Sequence, residues 1–205
     1  LALLARALVR PGDVVAVEEL SHPPGVEAFR VAGAGIIAIP LDKDGLVLLC
    51  GSFSKTLAPG YRVGYISPGI FYERIVHLKT ATNWGNATLP ALAIAEFLRN
   101  GGYDHHLRKI RRTYRDQVQK MREAVATEFP NPVKISNPRG GFVLWVELPA
   151  AVDAMQLFAE ARKVGISIAP GPIFSPVGDF PNYIRLSCGF PWSIKIERAI
   201  AVLGR

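Results

Sequence analysis

Hydrophobic and polar positions along the chain alternate between a helical and a strand-like period, and the switches between them mark out its elements. Residues 1–9 are an apolar helix end, and Arg10-Pro11-Gly12-Asp13 stops it and turns into the strand-like run 14–17. A second unit of this kind spans 31–40, with a small-residue turn at Gly33-Ala34-Gly35, then Ile36-Ile37-Ala38-Ile39, closed by Pro40. Leu46-Val47-Leu48-Leu49-Cys50 repeats the pattern. Short β-branched runs alternating with helical stretches predict a buried, mostly parallel sheet.

Farther along, Pro90 opens an apolar helix over 91–98 that ends at Asn100-Gly101-Gly102. A long amphipathic helix follows, with Leu107, Ile110, Tyr114, Val118, Met121 and Val125 at spacings of three and four. The cluster Arg108, Lys109, Arg111, Arg112 and Arg115 is expected on its other face, as a solvated surface. Asn137-Pro138-Arg139-Gly140-Gly141 then turns into a strand over 142–148. Asp153 is placed to cap a helix over 154–163 that Gly165 stops, and Ile166-Ser167-Ile168-Ala169 reads as the next strand. Tyr183-Ile184-Arg185-Leu186-Ser187 and a helix over 193–203 finish the chain. This last order of elements predicts a compact α+β unit, so the domains are taken as 1–103 and 104–205.

Only five residues separate Pro40 from Leu46, whereas a parallel crossover needs a dozen or more. Either these two strands are antiparallel neighbours or a stretch of the protein is missing between Gly45 and Leu46. The second is expected, because a parallel core without its central strands should not fold. The chain also begins at Leu1 inside a helical pattern and reads as a piece of something longer.

Composition changes this picture little. The 205 residues are 49% hydrophobic and 20% charged, which suits a globular protein rather than a disordered one. A net charge of +7 permits a nucleic-acid partner, but the basic residues are spread out apart from the one helical cluster. Cys50 and Cys188 lie within or beside apolar runs and are expected to be buried, reduced thiols, which points to the cytoplasm and away from disulfides or a metal site. No secretory leader is expected, and no apolar run of the sequence is long enough for a membrane span.

Chemistry concentrates in Gly51-Ser52-Phe53-Ser54-Lys55-Thr56-Leu57-Ala58-Pro59-Gly60-Tyr61-Arg62. A lysine captures a carbonyl only if it is held in place and partly withdrawn from water, and the end of a buried strand is expected to provide both for Lys55. Ser52 and Ser54 carry hydroxyl donors, Arg62 offers a fork of N–H donors suited to phosphate oxygens, and Pro59-Gly60 makes the turn between them.

The string 52–65, Ser-Phe-Ser-Lys-Thr-Leu-Ala-Pro-Gly-Tyr-Arg-Val-Gly-Tyr, closely resembles the lysine motif of class I/II aminotransferases, pyridoxal-phosphate (PLP) proteins of fold type I. The resemblance continues through Gly102-Tyr103-Asp104-His105-His106-Leu107-Arg108, Gly141-Phe142-Val143-Leu144-Trp145-Val146-Glu147-Leu148-Pro149, Ile168-Ala169-Pro170-Gly171 and Tyr183-Ile184-Arg185-Leu186-Ser187. In detail the chain is most similar to the C-terminal aminotransferase-like domain of MocR-type regulators of the GntR superfamily, and next to aminotransferases of the aminoadipate and kynurenine type. The resemblance implies the α/β fold of aspartate aminotransferase, with a large, mostly parallel-sheet domain and a small C-terminal α+β domain.

It also implies roles. Lys55 takes up the cofactor's aldehyde, Ser52, Ser54 and Arg62 bind its phosphate, and Arg185 grips an amino-acid carboxylate through two parallel hydrogen bonds. The ordinary alternative for Arg185 is a strand salt bridge. His22 falls near the position where the family stacks an aromatic ring over the pyridine. The family's asparagine, aspartate and tyrosine around the ring come from a stretch between the Asp42-Lys43-Asp44-Gly45 turn and the strand before the lysine, and no residue here matches them. Three readings remain open: an effector-sensing domain whose DNA reader is a module outside this chain, an aminotransferase acting between an amino acid and a 2-oxo acid, or a scaffold without cofactor, which would make the lysine loop vestigial. The resemblance further implies a homodimer and an amino acid as substrate or effector.

Overall fold

The computed structural model describes residues 11–12, 14–18, 35–39 and 49–205, apart from 177. The expected helix over 1–9, His22 and the junction at 45/46 lie outside them. The chain divides into two units, Leu1–Leu107 and Arg108–Arg205.

In the first unit, strands β1 (Val14–Glu18) and β2 (Gly35–Ile39) pair in parallel, Val14 opposite Gly35 and Glu18 opposite Ile39. Strands β3 (Leu49–Ser52) and β4 (Gly64–Ser67) form an antiparallel pair. Two helices follow, α1 (Tyr72–Asn83) and α2 (Thr88–Arg99). The sequence pattern had singled out α2 but not α1, which buries Ile75 against Ile66, Phe71 and Leu78. Helix α3 (Gly102–Glu128) begins here and continues past the boundary between the units.

The second unit is built on a four-stranded sheet in the order β5 (Lys134–Ile135), β6 (Val143–Glu147), β8 (Tyr183–Ser187) and β7 (Ala169–Pro170), with antiparallel pairing throughout. Along β6 and β8 every second residue is buried, so Leu144, Val146, Ile184 and Leu186 share one face. That face packs against Val118, Met121 and Val125 of α3, Ala154 of α4 (Ala154–Lys163) and Ile200 of α5 (Ile194–Leu203). Burying each such aliphatic side chain contributes about 1.5–3 kcal/mol, so this face supplies most of the unit's cohesion.

Local signals set the ends of these elements. Asp153 caps α4 by accepting from the Met155 and Gln156 amides at 2.7 and 2.9 Å, as its position ahead of the helix predicted. The strand expected over 166–169 pairs only at Ala169 and Pro170, since β7 meets just Arg185 and Ile184 of β8. At the outer strand, Lys134 donates to Glu147 at 2.9 Å; this bond holds the Glu147 carboxyl below its usual range and the Lys134 ammonium above its own.

Burial separates the two thiols. Cys188 is buried, and burial pushes its thiol up to about 11. Cys50 is exposed, contrary to the expectation that an apolar run conceals it, because its strand is paired only with β4 among the described elements.

Candidate functional site

The lysine segment folds as the connection of the β3–β4 hairpin. Ser52 pairs with Gly64, and the Phe53 amide extends the ladder by donating to the Val63 carbonyl at 3.0 Å. The chain then makes a single helical turn, closed by the Leu57 amide on the Phe53 carbonyl at 2.8 Å, and Lys55 rides on that turn. A short 3-10 turn at Pro59–Tyr61 follows, started by the proline. Arg62 then reverses the chain with φ 52° and ψ 32°, a left-handed conformation that non-glycine residues seldom take. At Gly64 a Cβ would lie 2.7 Å from the Gly51 carbonyl, and at Gly51 it would run into the Tyr65 ring, so both places exclude a side chain.

Ser52, Ser54, Lys55 and Arg62 are thus carried by one hairpin. The Ser52 hydroxyl accepts from the Ser54 amide at 3.1 Å and can donate to the Val63 carbonyl at 3.5 Å, which ties the start of the turn to its end. Lys55, Ser52 and Arg62 are exposed and Ser54 is half-buried. The expectation that a buried strand end withdraws Lys55 from water is therefore not met by the described residues, for the reason that applies to Cys50: β4 is the only described neighbour of β3. Arg185 stands in the second unit, on β8, and His22 lies outside the described residues.

Three residues without an assigned role hold the turn in place. The Tyr103 hydroxyl donates to the Thr56 hydroxyl at 3.1 Å, and His106 Nε2 lies 2.7 Å from the Thr56 carbonyl. A carbonyl only accepts, so His106 carries its hydrogen on Nε2 in this contact. Both partners come from the first turns of α3 and grip the residue next to Lys55. Phe53 completes the clamp, its ring 5.9 Å from that of Tyr65 and 5.8 Å from that of Tyr103. Beside the turn is a largely apolar cavity of about 300 Å³, lined by Leu57, Ala58, Tyr61, Ile94, Phe97 and His106 among others. The Tyr103 to His106 stretch had carried a family resemblance, yet contacts 47 and 50 residues apart in sequence leave no local trace.

Arg185 has a distinct environment. It lies opposite Trp145 on β6, its guanidinium carbon is 4.2 Å from the Phe174 ring centroid, and the Phe174 ring meets Trp145 edge-on at 5.2 Å. Burial lowers its affinity for the proton, and no carboxylate among the described residues pairs with it. The strand salt bridge considered as the ordinary alternative is thus absent among those residues. A planar cation stacked on an aromatic face keeps its N–H fork free for a ligand.

Residues 41–203 match the family described as aminotransferase class I and II. The chain belongs to that family. It is 37% identical over 163 residues to an uncharacterized HTH-type transcriptional regulator, YjiR, of Escherichia coli (strain K12), covering 80% of this chain and 35% of the relative. It is 33% identical over 160 residues to the 2-aminoadipate transaminase of Thermus thermophilus, covering 78% and 40%. The crystal structure of LysN, an alpha-aminoadipate aminotransferase from Thermus thermophilus complexed with N-(5'-phosphopyridoxyl)-L-leucine, superposes with a TM-score of 0.87 at 21% identity, covering 99% of this chain and 73% of that one. The fold is therefore the α/β fold of aspartate-aminotransferase-like proteins. The chain spans only a third to two-fifths of the length of the regulator and the transaminase.

The donor set of the hairpin fits a phosphorylated aldehyde. It joins one primary amine, two hydroxyls and one guanidinium on a single short connection, and among the described residues no carboxylate ion-pairs with any of them. Among the described residues no helix is long and apolar enough to cross a membrane, and no cluster of histidine, cysteine and acidic side chains could hold a metal ion.

Proposed function

We propose that this chain is the PLP-binding, aminotransferase-like effector domain of a MocR/GntR-type transcriptional regulator. The observation that carries the proposal is the presentation of Lys55 on a turn gripped through Thr56 by Tyr103 and His106, with Ser52, Ser54 and Arg62 on the same hairpin. In this reading Lys55 holds the cofactor's aldehyde, the two serines and Arg62 hold its phosphate, and His22 lies against its ring. Bound PLP supplies an electron-withdrawing ring that labilises bonds at an amino acid's Cα. Arg185 binds the amino acid's carboxylate, oriented by its stacking on Phe174. The likeness to an HTH-type regulator supports the sensing role, with DNA read by a module outside this chain.

Residues 1–103 then form part of the large cofactor-binding domain and 104–205 the small one, in a cytoplasmic homodimer. Signalling requires the amino acid to bind two conformations of the domain with different affinities. The second reading, a free-standing aminotransferase, is supported by the likeness to 2-aminoadipate transaminase. There Lys55, once released from the cofactor, would shuttle the proton at the amino acid's Cα.

Adding PLP to the full chain should produce a visible absorbance band that Lys55→Ala abolishes. A band that persists in the variant, or none in either protein, would overturn the cofactor assignment. Turnover with an amino acid and a 2-oxo acid would move the conclusion to the enzyme; binding of the amino acid without turnover keeps it with the sensor.

A further inference from the structure

The second unit contains a cavity of about 260 Å³ lined by none of the residues assigned to the cofactor or to the amino acid. Its walls are one face of α3 and the loop that leads into β6, and four arginines line it: Arg111, Arg115 and Arg122 from the helix and Arg139 from the loop. No aspartate or glutamate lines it. Arg111 and Arg115 are exposed, as expected of the solvated face of the helix. They also wall the cavity beside Tyr114 and Val118, because positions 111, 115, 118 and 122 follow one another at three- and four-residue steps along a single helical stripe. The Nε of Arg122 is buried and has no hydrogen-bond partner among the described residues, a donor that has lost water without gaining an acceptor.

Four arginines line one small space with no carboxylate to offset them, and a ligand with several negative charges supplies the missing counter-charge. The planar fork of each arginine matches a phosphoryl or carboxylate group. The volume falls below the roughly 300–1,000 Å³ of pockets that hold drug-sized molecules, so the ligand is compact. We propose that this cavity is a binding site for a small multivalent oxyanion, separate from the site of the lysine hairpin.

Titration calorimetry of the full chain with inorganic diphosphate, at an ionic strength held constant with chloride, tests the proposal, and a parallel titration with citrate separates phosphoryl from carboxylate recognition. Saturable binding that persists in Lys55→Ala is expected for at least one of the two. Arg115→Gln with Arg139→Gln should weaken it at least tenfold. Lys109→Gln with Arg112→Gln, which removes the same charge from positions that do not line the cavity, should change it less than twofold. Arg139→Gln alone, a single change in an exposed loop, should still weaken binding several-fold if the double variant does not fold. Absence of binding by both anions, equal weakening by the two double variants, or loss of binding in Lys55→Ala would each overturn the site.

Discussion

The two units of the chain are held together in different ways. The second has a continuous core in which β6 and β8 turn Leu144, Val146, Ile184 and Leu186 toward three helices. In the first, Ile75 and Ile94 are the buried hydrophobic side chains among residues 50–107, position 67 aside. Its lysine turn is positioned by a few directional contacts, from Tyr103, His106 and Phe53. Burial is non-directional and spreads its effect over many neighbours, whereas a hydrogen bond fixes one atom and fails when that atom is removed. Substitutions should therefore act on stability in one half and on cofactor affinity in the other.

The sharpest way to break this contrast is to open both cores. Leu144→Ala, at a fully buried site, is expected to cost about 3–4 kcal/mol, read as a lower urea midpoint of the second unit. Ile75→Ala should cost about 2 kcal/mol and leave that midpoint unmoved, since its few neighbours can close over the gap. Equal costs would erase the difference between the units.

Cys188 and Cys50 give the next largest effect. Folding keeps the Cys188 proton up to about pH 11, while the unfolded thiol loses its own at about pH 8.5. The stabilisation is complete below the unfolded value and is lost as pH rises toward the folded one. The loss is on the order of 2–3 kcal/mol. Urea midpoints measured on either side of that window should fall in the parent and fall less in Cys188→Ala. A thiol reagent should modify exposed Cys50 in the native protein and reach Cys188 only on unfolding.

The smallest effect sharpens the comparison from the other side. Tyr103→Phe removes one hydroxyl, worth about 1 kcal/mol, so PLP affinity should fall about fivefold while the urea midpoint of the second unit stays where it is. A change in that midpoint instead would mean that the clamp is part of the core.

The parts of the molecule legible in the sequence were those whose cause is local. Asp153 sits beside the amides it caps, and β8 alternates over 183–187 within its own run. Helix α1 had no such signature: it has few apolar positions and no side-chain cap at its start. The site divides in the same way. Lys55, its serines and Arg62 could be read because one motif carries all four. The grip of Tyr103 and His106 on Thr56, the exposure of Cys50 and the arginines around the second cavity depend on which segments meet in space.

Arg62 bears on how this hairpin could be altered. At φ 52° a glycine or asparagine would sit with less strain, so a search for greater thermal stability would be drawn to replace the arginine. The replacement would discard the guanidinium assigned to the phosphate. Stability and ligand affinity at position 62 thus pull toward different residues, and a library selected on heat resistance alone should drift away from the function this loop is proposed to serve.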